Sequence, residues 1–473
     1  MLITLIQKEV MHHVLSVRFV ALFLMCLLLI PFTLSINYSN YRQRQVDYQE
    51  ALKIAKDDAT TVNSMALEPP KPTVEISKLF LTPIPLSIFA NGMEESLPSY
   101  LGMTRNGITF GIPALVSAPF SYILGQLDLL FVISNVFSLL ALLFTFDAVA
   151  GEKEAGTIRV TLANALPRDI FLWSKLIGGY LVFVASFLVS FLVGLLILVW
   201  QGFPLGEPDI FSRVLSLTFV SLLYIAVFFA MGTMLSTYLD TAKTSLIVAF
   251  TVWVLIVLIA PRSGFILAKV IVPTRTEQSI YMEKTALRNN LAKELEDKRL
   301  KTVQDIAQGQ IVTIDREVQK KLSERMEPIE EEYRSKLQNE SNKIDQSYQQ
   351  QKKRQELIGE TLSRITPTSS LIYLATNLAQ TGKIRKNNYF QAGMRYYAQL
   401  EEEYFSKMSD SIIGSKTVVI DSRKDKKILP PPDPTDISLV ETFHTTLIDL
   451  LLLCFFAIVL TTVAFLKFFR SDI

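Results

Sequence analysis

Phe146-Asp147-Ala148-Val149-Ala150-Gly151-Glu152-Lys153-Glu154-Ala155-Gly156-Thr157, with Pro167-Arg168 and Lys175 following, is a charged, glycine-bounded stretch between two apolar runs. The flanking runs, Leu127–Val149 and Phe171–Trp200, each reach the roughly 20 residues that a helix needs to cross the hydrocarbon core. A short polar connector between two such runs must lie at one membrane face. Working outward, four more runs meet the same length: Val17–Ile36, Val214–Leu239, Ser245–Val270 and Thr446–Phe468. The reading is an all-α polytopic membrane protein with six transmembrane helices. Phe171–Trp200 is longer than a span requires, so it should tilt or protrude. Trp173 and Trp200 bracket it as interfacial anchors. Pro261 is placed to kink or end the fifth helix near Arg262.

Composition points the same way. Hydrophobic residues make up 50% of the chain and mean hydropathy is +0.32, although 19% of residues are charged. Long apolar runs alternate with polar blocks, as in a membrane protein with large aqueous domains. The net charge is +2 and no basic tract is interleaved with aromatics, so no nucleic-acid partner is expected. Both cysteines, Cys26 and Cys454, lie in apolar runs, which excludes a disulfide framework in the polar domains.

Met1–His13 mixes Lys8, Glu9, His12 and His13 with Leu2, Ile3, Leu5, Ile6, Val10 and Met11. That pattern reads as an amphipathic helix lying against membrane lipid before the first span. The run from Val17 is too long for a cleaved signal, and no small-residue cleavage site follows it. Lys and Arg concentrate in the connector (Lys153, Arg159, Arg168, and Lys175 at the lipid headgroups), near both termini (Lys8, Arg18, Lys467, Arg470) and at Lys243, whereas Gln201–Pro208 has none. The positive-inside bias therefore puts the connector and both termini in the cytoplasm.

This orientation divides the chain into five parts. Residues 1–36 hold the interfacial helix and first span, and 37–126 form a first extracytoplasmic domain. Residues 127–270 carry the second to fifth spans with the connector at 150–170. Residues 271–445 form a large helical extracytoplasmic domain, and 446–473 the sixth span and tail. The first outer domain opens on a polar helical stretch, Tyr41–Asp57, and is then broken by Pro69, Pro70 and Pro72. The second opens on Thr274–Leu362, nearly free of Gly and Pro, whose alternating charges and narrow stripe of Leu287, Leu291, Leu295 and Leu300 predict exposed helices packed on each other. Pro328 should interrupt that run or start a new helix. Ser369–Leu378 and Tyr389–Tyr404 read as a membrane-proximal helical layer, and Pro430–Pro434 as a stiff lead into the last span.

Catalytic signatures are thin. His12, His13 and His444 have no metal-ligand spacing, and interfacial solvation accounts for the first two. Gly414-Ser415-Lys416-Thr417 lacks the glycines of a phosphate loop, so the chain has no ATP site of its own. In the connector, Glu152 and Glu154 do not share a helix face, so one can pair with a cation of a partner protein while the other caps or stays solvated. Gly151 and Gly156 permit a close approach or a sharp turn. Thr157 can cap the helix that follows, while Pro167 and Arg168 end the excursion.

Gly151-Glu152-x-Glu154-x-Gly156-Thr157 between two spans, with Pro167-Arg168 and Lys175, resembles the membrane subunits of ABC-2 type transporters. More closely, it is similar to the permease branch associated with multicopper-enzyme maturation and gliding motility. Pro85-Leu86-Ser87-Ile88-Phe89-Ala90-Asn91-Gly92, Asp128 at the second span, and Gly232-Thr233-Met234-Leu235-Ser236 with Trp253 fit that branch. The resemblance implies a type V, ABC-2 exporter-like fold in a bacterial inner membrane. It implies that Gly151, Glu152, Glu154, Gly156, Thr157, Pro167, Arg168 and Lys175 belong to a coupling helix seated on a separate cytoplasmic ABC ATPase dimer. ATP and Mg would be bound by that ATPase, with no cofactor in this chain. A second permease, the same chain or a related one, is expected beside it, and an extracytoplasmic protein is a further expected partner. The resemblance implies export or extrusion of a substrate, or ABC-driven motion delivered to an extracytoplasmic partner without transport. The competing class, a non-ABC sensor or scaffold, ranks last because the cytoplasmic segments are short and it leaves Gly151–Lys175 unexplained.

Overall fold

In lipid every backbone N–H and C=O must be bonded within its own segment, so long apolar runs become helices. The computed structural model describes residues 1–64, 75–104, 107–113, 127–163, 167–307, 316–402, 408–413, 416–421, 431–432 and 437–470. Among these, six helical stretches are long and apolar enough to span: Val17–Lys56, Leu129–Glu154, Arg168–Trp200, Pro208–Tyr238, Ala242–Ile271 and Leu439–Arg470. The fold is all-α and polytopic, and the chain forms two compact units, Met1–Leu258 with Thr366–Ile473, and Ile259–Ile365.

The first unit begins with α1 (Leu2–Val14) and α2 (Val17–Ser64). Tyr41–Asp57 is therefore not a separate element. No glycine or proline separates it from the first span, so helix propagation carries α2 straight out of the apolar run. A three-stranded antiparallel sheet follows, β1 (Ser77–Phe80), β2 (Tyr100–Thr104) and β3 (Gly107–Phe110), with Leu79 opposite Leu101 and Leu101 opposite Phe110. Strands this short, set among prolines, leave little alternation to read in the sequence.

The second span opens with a single turn, Leu129–Phe131, passes through a π-helical segment, Val132–Phe137, and continues as α3 (Ser138–Thr145). Next come α4 (Ala150–Glu154), α5 (Thr157–Ala163), α6 (Arg168–Trp200), α7 (Pro208–Tyr238) and α8 (Ala242–Trp253). A second π-helical segment, Val254–Ile259, leads to α9 (Ala260–Ile271) in the second unit. Pro261 lies near the start of α9, directly after the π-helical segment and inside the continuous helical stretch Ala242–Ile271. The π-helical segment contains Val257, whose carbonyl loses its i+4 donor to Pro261, so the change of helical register falls where the proline perturbs the ladder.

Lipid offers no hydrophobic drive for helix association, so close packing must do the work. The buried heart of the spans is aromatic: Phe137 meets Phe187 edge-on with centroids 5.6 Å apart, and Phe144 meets Phe183 at 6.3 Å. Trp253 at the end of α8 donates to Ser138 Oγ at the start of α3, 2.8 Å away, so the two π-helical segments abut a shared hydrogen bond.

At the end of the spans remote from the connector, Asp128 accepts from Phe131 N (2.7 Å) and from Asn91 N (2.8 Å). One carboxylate thereby caps the second span and pins the segment after Pro85. The sheet packs Leu79, Leu101 and Met103 against Tyr389, Ala392 and Tyr396 of α13 (Lys383–Leu400), which follows α12 (Pro367–Leu378). Arg213 of α7 is fully buried. It reaches Asp209 Oδ2 (2.8 Å), Leu378 O at the end of α12 (3.1 Å) and Ile437 O (2.5 Å) just before α14 (Leu439–Arg470).

In the second unit α10 (Glu277–Ala307) and α11 (Arg316–Ser363) run antiparallel. Glu277 pairs with Lys352, Lys284 with Asp345 and Glu294 with Lys336. Such exposed pairs contribute about 0–1 kcal/mol each, so they fix register more than stability. Leu291 is buried in the seam with Leu287 and Leu295 half-buried, but Leu300 is exposed. Pro328 lies inside α11 and does not interrupt it, and Met326 beside it is buried. The hairpin strands β4 (Met408–Ile413) and β5 (Lys416–Asp421) complete the described elements. Lys416-Thr417 open a strand rather than a helix, and Gly414-Ser415 and most of Pro430–Pro434 lie outside the described residues.

Candidate functional site

The connector folds as two short helices because its own ends are capped from elsewhere. Ser236 Oγ, in the last turn of α7, accepts from both Val149 N and Ala150 N at 2.9 Å, and so starts α4. Gly156 has φ +69°, a left-handed value that lets the chain turn sharply from α4 into α5. Thr157 Oγ1 donates back to Glu152 O (3.3 Å), tying the second helix to the first. Underneath, Val149 and Ile158 are buried with Phe171, Leu172, Ala464 and Phe468, and the Phe171 and Phe468 rings stack at 5.6 Å.

Its charges close the ends of neighbouring spans. Helix ends carry orphan carbonyls and N–H groups, with partial charges that favour cations at one end and anions at the other. Lys153 Nζ donates to Thr237 O (2.8 Å) and Leu239 O (3.4 Å) at the end of α7, and lies 3.3 Å from Asp240 Oδ1. Glu154 Oε2 accepts from Ala242 N (2.9 Å) at the start of α8. Arg168 donates to Phe469 O (3.0 Å) in the last turn of α14, while Pro167 supplies the extended residue before α6.

Lys175 is not at the headgroups. Its ammonium is buried between Glu152 Oε1 (2.5 Å) and Glu9 Oε1 (3.0 Å), with side-chain exposures of 11% for Lys175, 24% for Glu152 and 8% for Glu9. Gly178 makes this possible: a Cβ there would lie 2.7 Å from Glu9 Cβ, so only glycine lets α1 settle onto α6. Arg18 adds a further link, 2.6 Å from Asp147 Oδ2 and over the Phe146 ring.

Of the eight residues singled out from sequence, the structure gathers most into this one assembly. Gly151 is half-buried above Asp147, whose Cβ lies 3.3 Å from where a Cβ at Gly151 would stand. Glu152 and Glu154 do divide their tasks, but the cation met by Glu152 is this chain's own Lys175. Glu9, Lys153, Ser236 and the Arg18–Asp147 pair were missed as site residues. Their partners lie far away in sequence, and only the glutamate's place on an apolar helix face signalled anything. Left facing outward are Glu154, Ala155, Gly156, Thr157, Arg159 and Val160.

His13 belongs to the same assembly rather than to solvent: its ring stacks on Phe144 at 4.7 Å. Burial pushes its pKa below the ordinary 6.5, and His12 and Lys175 push the same way, against Glu9 and Asp147. A histidine held neutral in the fold contributes stability that is complete above 6.5 and is lost as pH falls below that value. The melting temperature should therefore drop on acidification from about pH 7 to about pH 5.5 more steeply than in His13→Phe, which keeps the stack without the titration. Equal slopes would contradict this.

Among the described residues no group of three His, Cys, Asp or Glu could hold a metal ion. The family model described as ABC-2 family transporter protein matches residues 3–473. No curated protein matches the chain.

Proposed function

We propose, from the premise that this chain belongs to the ABC-2 family of transporter proteins, that its connector is where a separate cytoplasmic ATPase delivers motion to the membrane. The observation that supports this reading is the keying of one short element into the ends of its neighbours. Lys153 holds α7, Glu154 holds α8, Arg168 holds α14, and Lys175 holds the connector to α6 and α1. A solvated loop would be free of such ties. A push on the outward face is therefore carried to several spans at once.

In this reading Gly151, Glu152 and Lys175 transmit, Gly156 and Thr157 shape the turn, Pro167 and Arg168 anchor the exit, and the exposed Arg159 and Val160 dock. ATP and Mg act in the ATPase, whose closure biases two membrane states differently. Two ATPases require two permease chains, so a second copy or a related permease stands alongside. The complex works in a bacterial inner membrane with both termini cytoplasmic and exports or extrudes a substrate. The long antiparallel pair α10 and α11 favours a second reading, a lever that acts on an extracytoplasmic protein.

Arg159→Glu with Val160→Asp tests the docking face. Both side chains are exposed, Val160 to 67%, so melting should stay near wild type. ATPase binding should weaken by about tenfold or more, as for contacts at the centre of an interface. Unchanged ATPase affinity and stimulation would sink the docking assignment.

A further inference from the structure

Beyond Ile36 the sequence of α2 turns polar (Asn37, Asn40, Arg42, Gln43), which marks the end of the hydrocarbon core. Arg44 then lies about 12 Å further along the axis at ~1.5 Å per residue. From there α2 carries Tyr48, Ala51 and Ile54 on one face, at helical spacing. That face lines a cavity of about 450 Å³ whose other walls include Phe80, Leu97 and Tyr100. The volume falls within the roughly 300–1,000 Å³ of sites that enclose one small ligand.

The charged lining is unevenly satisfied. Arg44, the lining residue of α2 nearest the span, makes only long contacts, 3.5 Å to Asn91 Oδ1 and 3.3 Å to Ser87 Oγ, and its Nε has no partner. Among the described residues no carboxylate forms an ion pair with it. Glu94 is 5% exposed, and its Oε2 stands 3.4 Å from Arg385 Nε without a hydrogen bond. Burial raises the Glu94 pKa against the pull of Arg385 and Arg44. At the rim, Asp47 accepts from Gln43 (2.9 Å) and Lys78 pairs with Glu75 (3.3 Å).

We propose that this cavity binds a single-chain amphiphile with an anionic head, its chain along Tyr48, Ala51 and Ile54 and its head at Arg44. A lipid still seated in the leaflet cannot place its tail there, because the cavity begins outside the hydrocarbon core. One chain rather than two fits the volume. An anion answers a guanidinium that no carboxylate among the described residues pairs with directly. The site goes beyond ATPase coupling and is tested without nucleotide, so either reading can fail alone.

The full chain in nanodiscs would be exposed to diazirine-bearing palmitate, lysophosphatidylglycerol or uncharged monoacylglycerol, and the labelled peptide mapped. The first two supply the same anionic chemistry from different sources, and their relative yields tell which source is preferred. Both should label residues between Arg44 and Ala55. Arg44→Gln should reduce that labelling by about tenfold while leaving the weaker monoacylglycerol signal unchanged. Ala51→Trp and Ile54→Trp should block the cavity, whereas Gln49→Trp, on the exposed face of the same helix, should not. Labelling that persists in both cavity-filling variants, or is equal for charged and uncharged probes, or is displaced by an apolar peptide but not by unlabelled palmitate, overturns the proposal.

Discussion

Lys175→Met is expected to destabilise the protein by about 3 kcal/mol, because it strands two carboxylates in a site built around one ammonium. Glu9 is the more deeply buried of the two and cannot turn to solvent without lifting α1 from α6. Glu152 is less buried, so part of its loss is recovered by water, which keeps the figure at the low end of the buried-pair range. Neutralising all three, with Glu9→Gln, Glu152→Gln and Lys175→Met together, should return stability to within about 1 kcal/mol of wild type, since an uncharged cluster needs no counter-ion. The triple variant therefore separates two roles. If the triad serves only stability, ATPase stimulation returns with it. If the triad transmits motion between α1, the connector and α6, stimulation stays low in a well-folded protein. Melting in detergent and ATPase rate in nanodiscs read the two quantities side by side.

Arg213→Met should cost about 3 kcal/mol at the opposite end of the spans, with ATPase binding untouched. The fully buried guanidinium bonds two carbonyls, Leu378 O and Ile437 O, that belong to the end of α12 and the approach to α14. Neither has another described donor at that position, and both become unpaired when the guanidinium is removed. Asp209 is 57% exposed and returns to water, so it adds little to the cost. Lysine is no substitute, because one ammonium on a flexible stem cannot replace a planar fork aimed in three directions. Arg213→Lys should recover less than half of the lost stability. Recovery to wild type would show that charge alone, rather than fork geometry, holds the three segments.

The spans were legible because lipid imposes a length and a composition that no soluble segment shares, and the apolar runs flanking Gly151–Lys175 satisfy both. The connector was legible as a polar clamp for the same reason. What its charges touch was not legible. Lys175 reads from sequence as a headgroup cation, and only the approach of α1 allowed by Gly178 converts it into a buried partner of Glu9. Lys153 and Ser236 act on backbone groups more than eighty positions away, which leaves no local pattern. The sheet of β1, β2 and β3 escaped because strands of four or five residues carry too few alternations, and its partner Tyr389 comes from the far side of the sequence. Pro328 misled because a proline's local effect was weighed without the helix that surrounds it.

The outward face of the connector is proposed to meet an ATPase in the cytoplasm. Placing a photo-reactive amino acid at Val160 in living cells, and at Met394 of α13 as a comparison, tests it most directly. Both side chains are exposed, Val160 to 67% and Met394 to 62%. The expected result is a crosslink from Val160 to a soluble Walker-type ATPase and none to it from Met394. A crosslink to that ATPase from Met394, or none from Val160, would rule out docking at the connector.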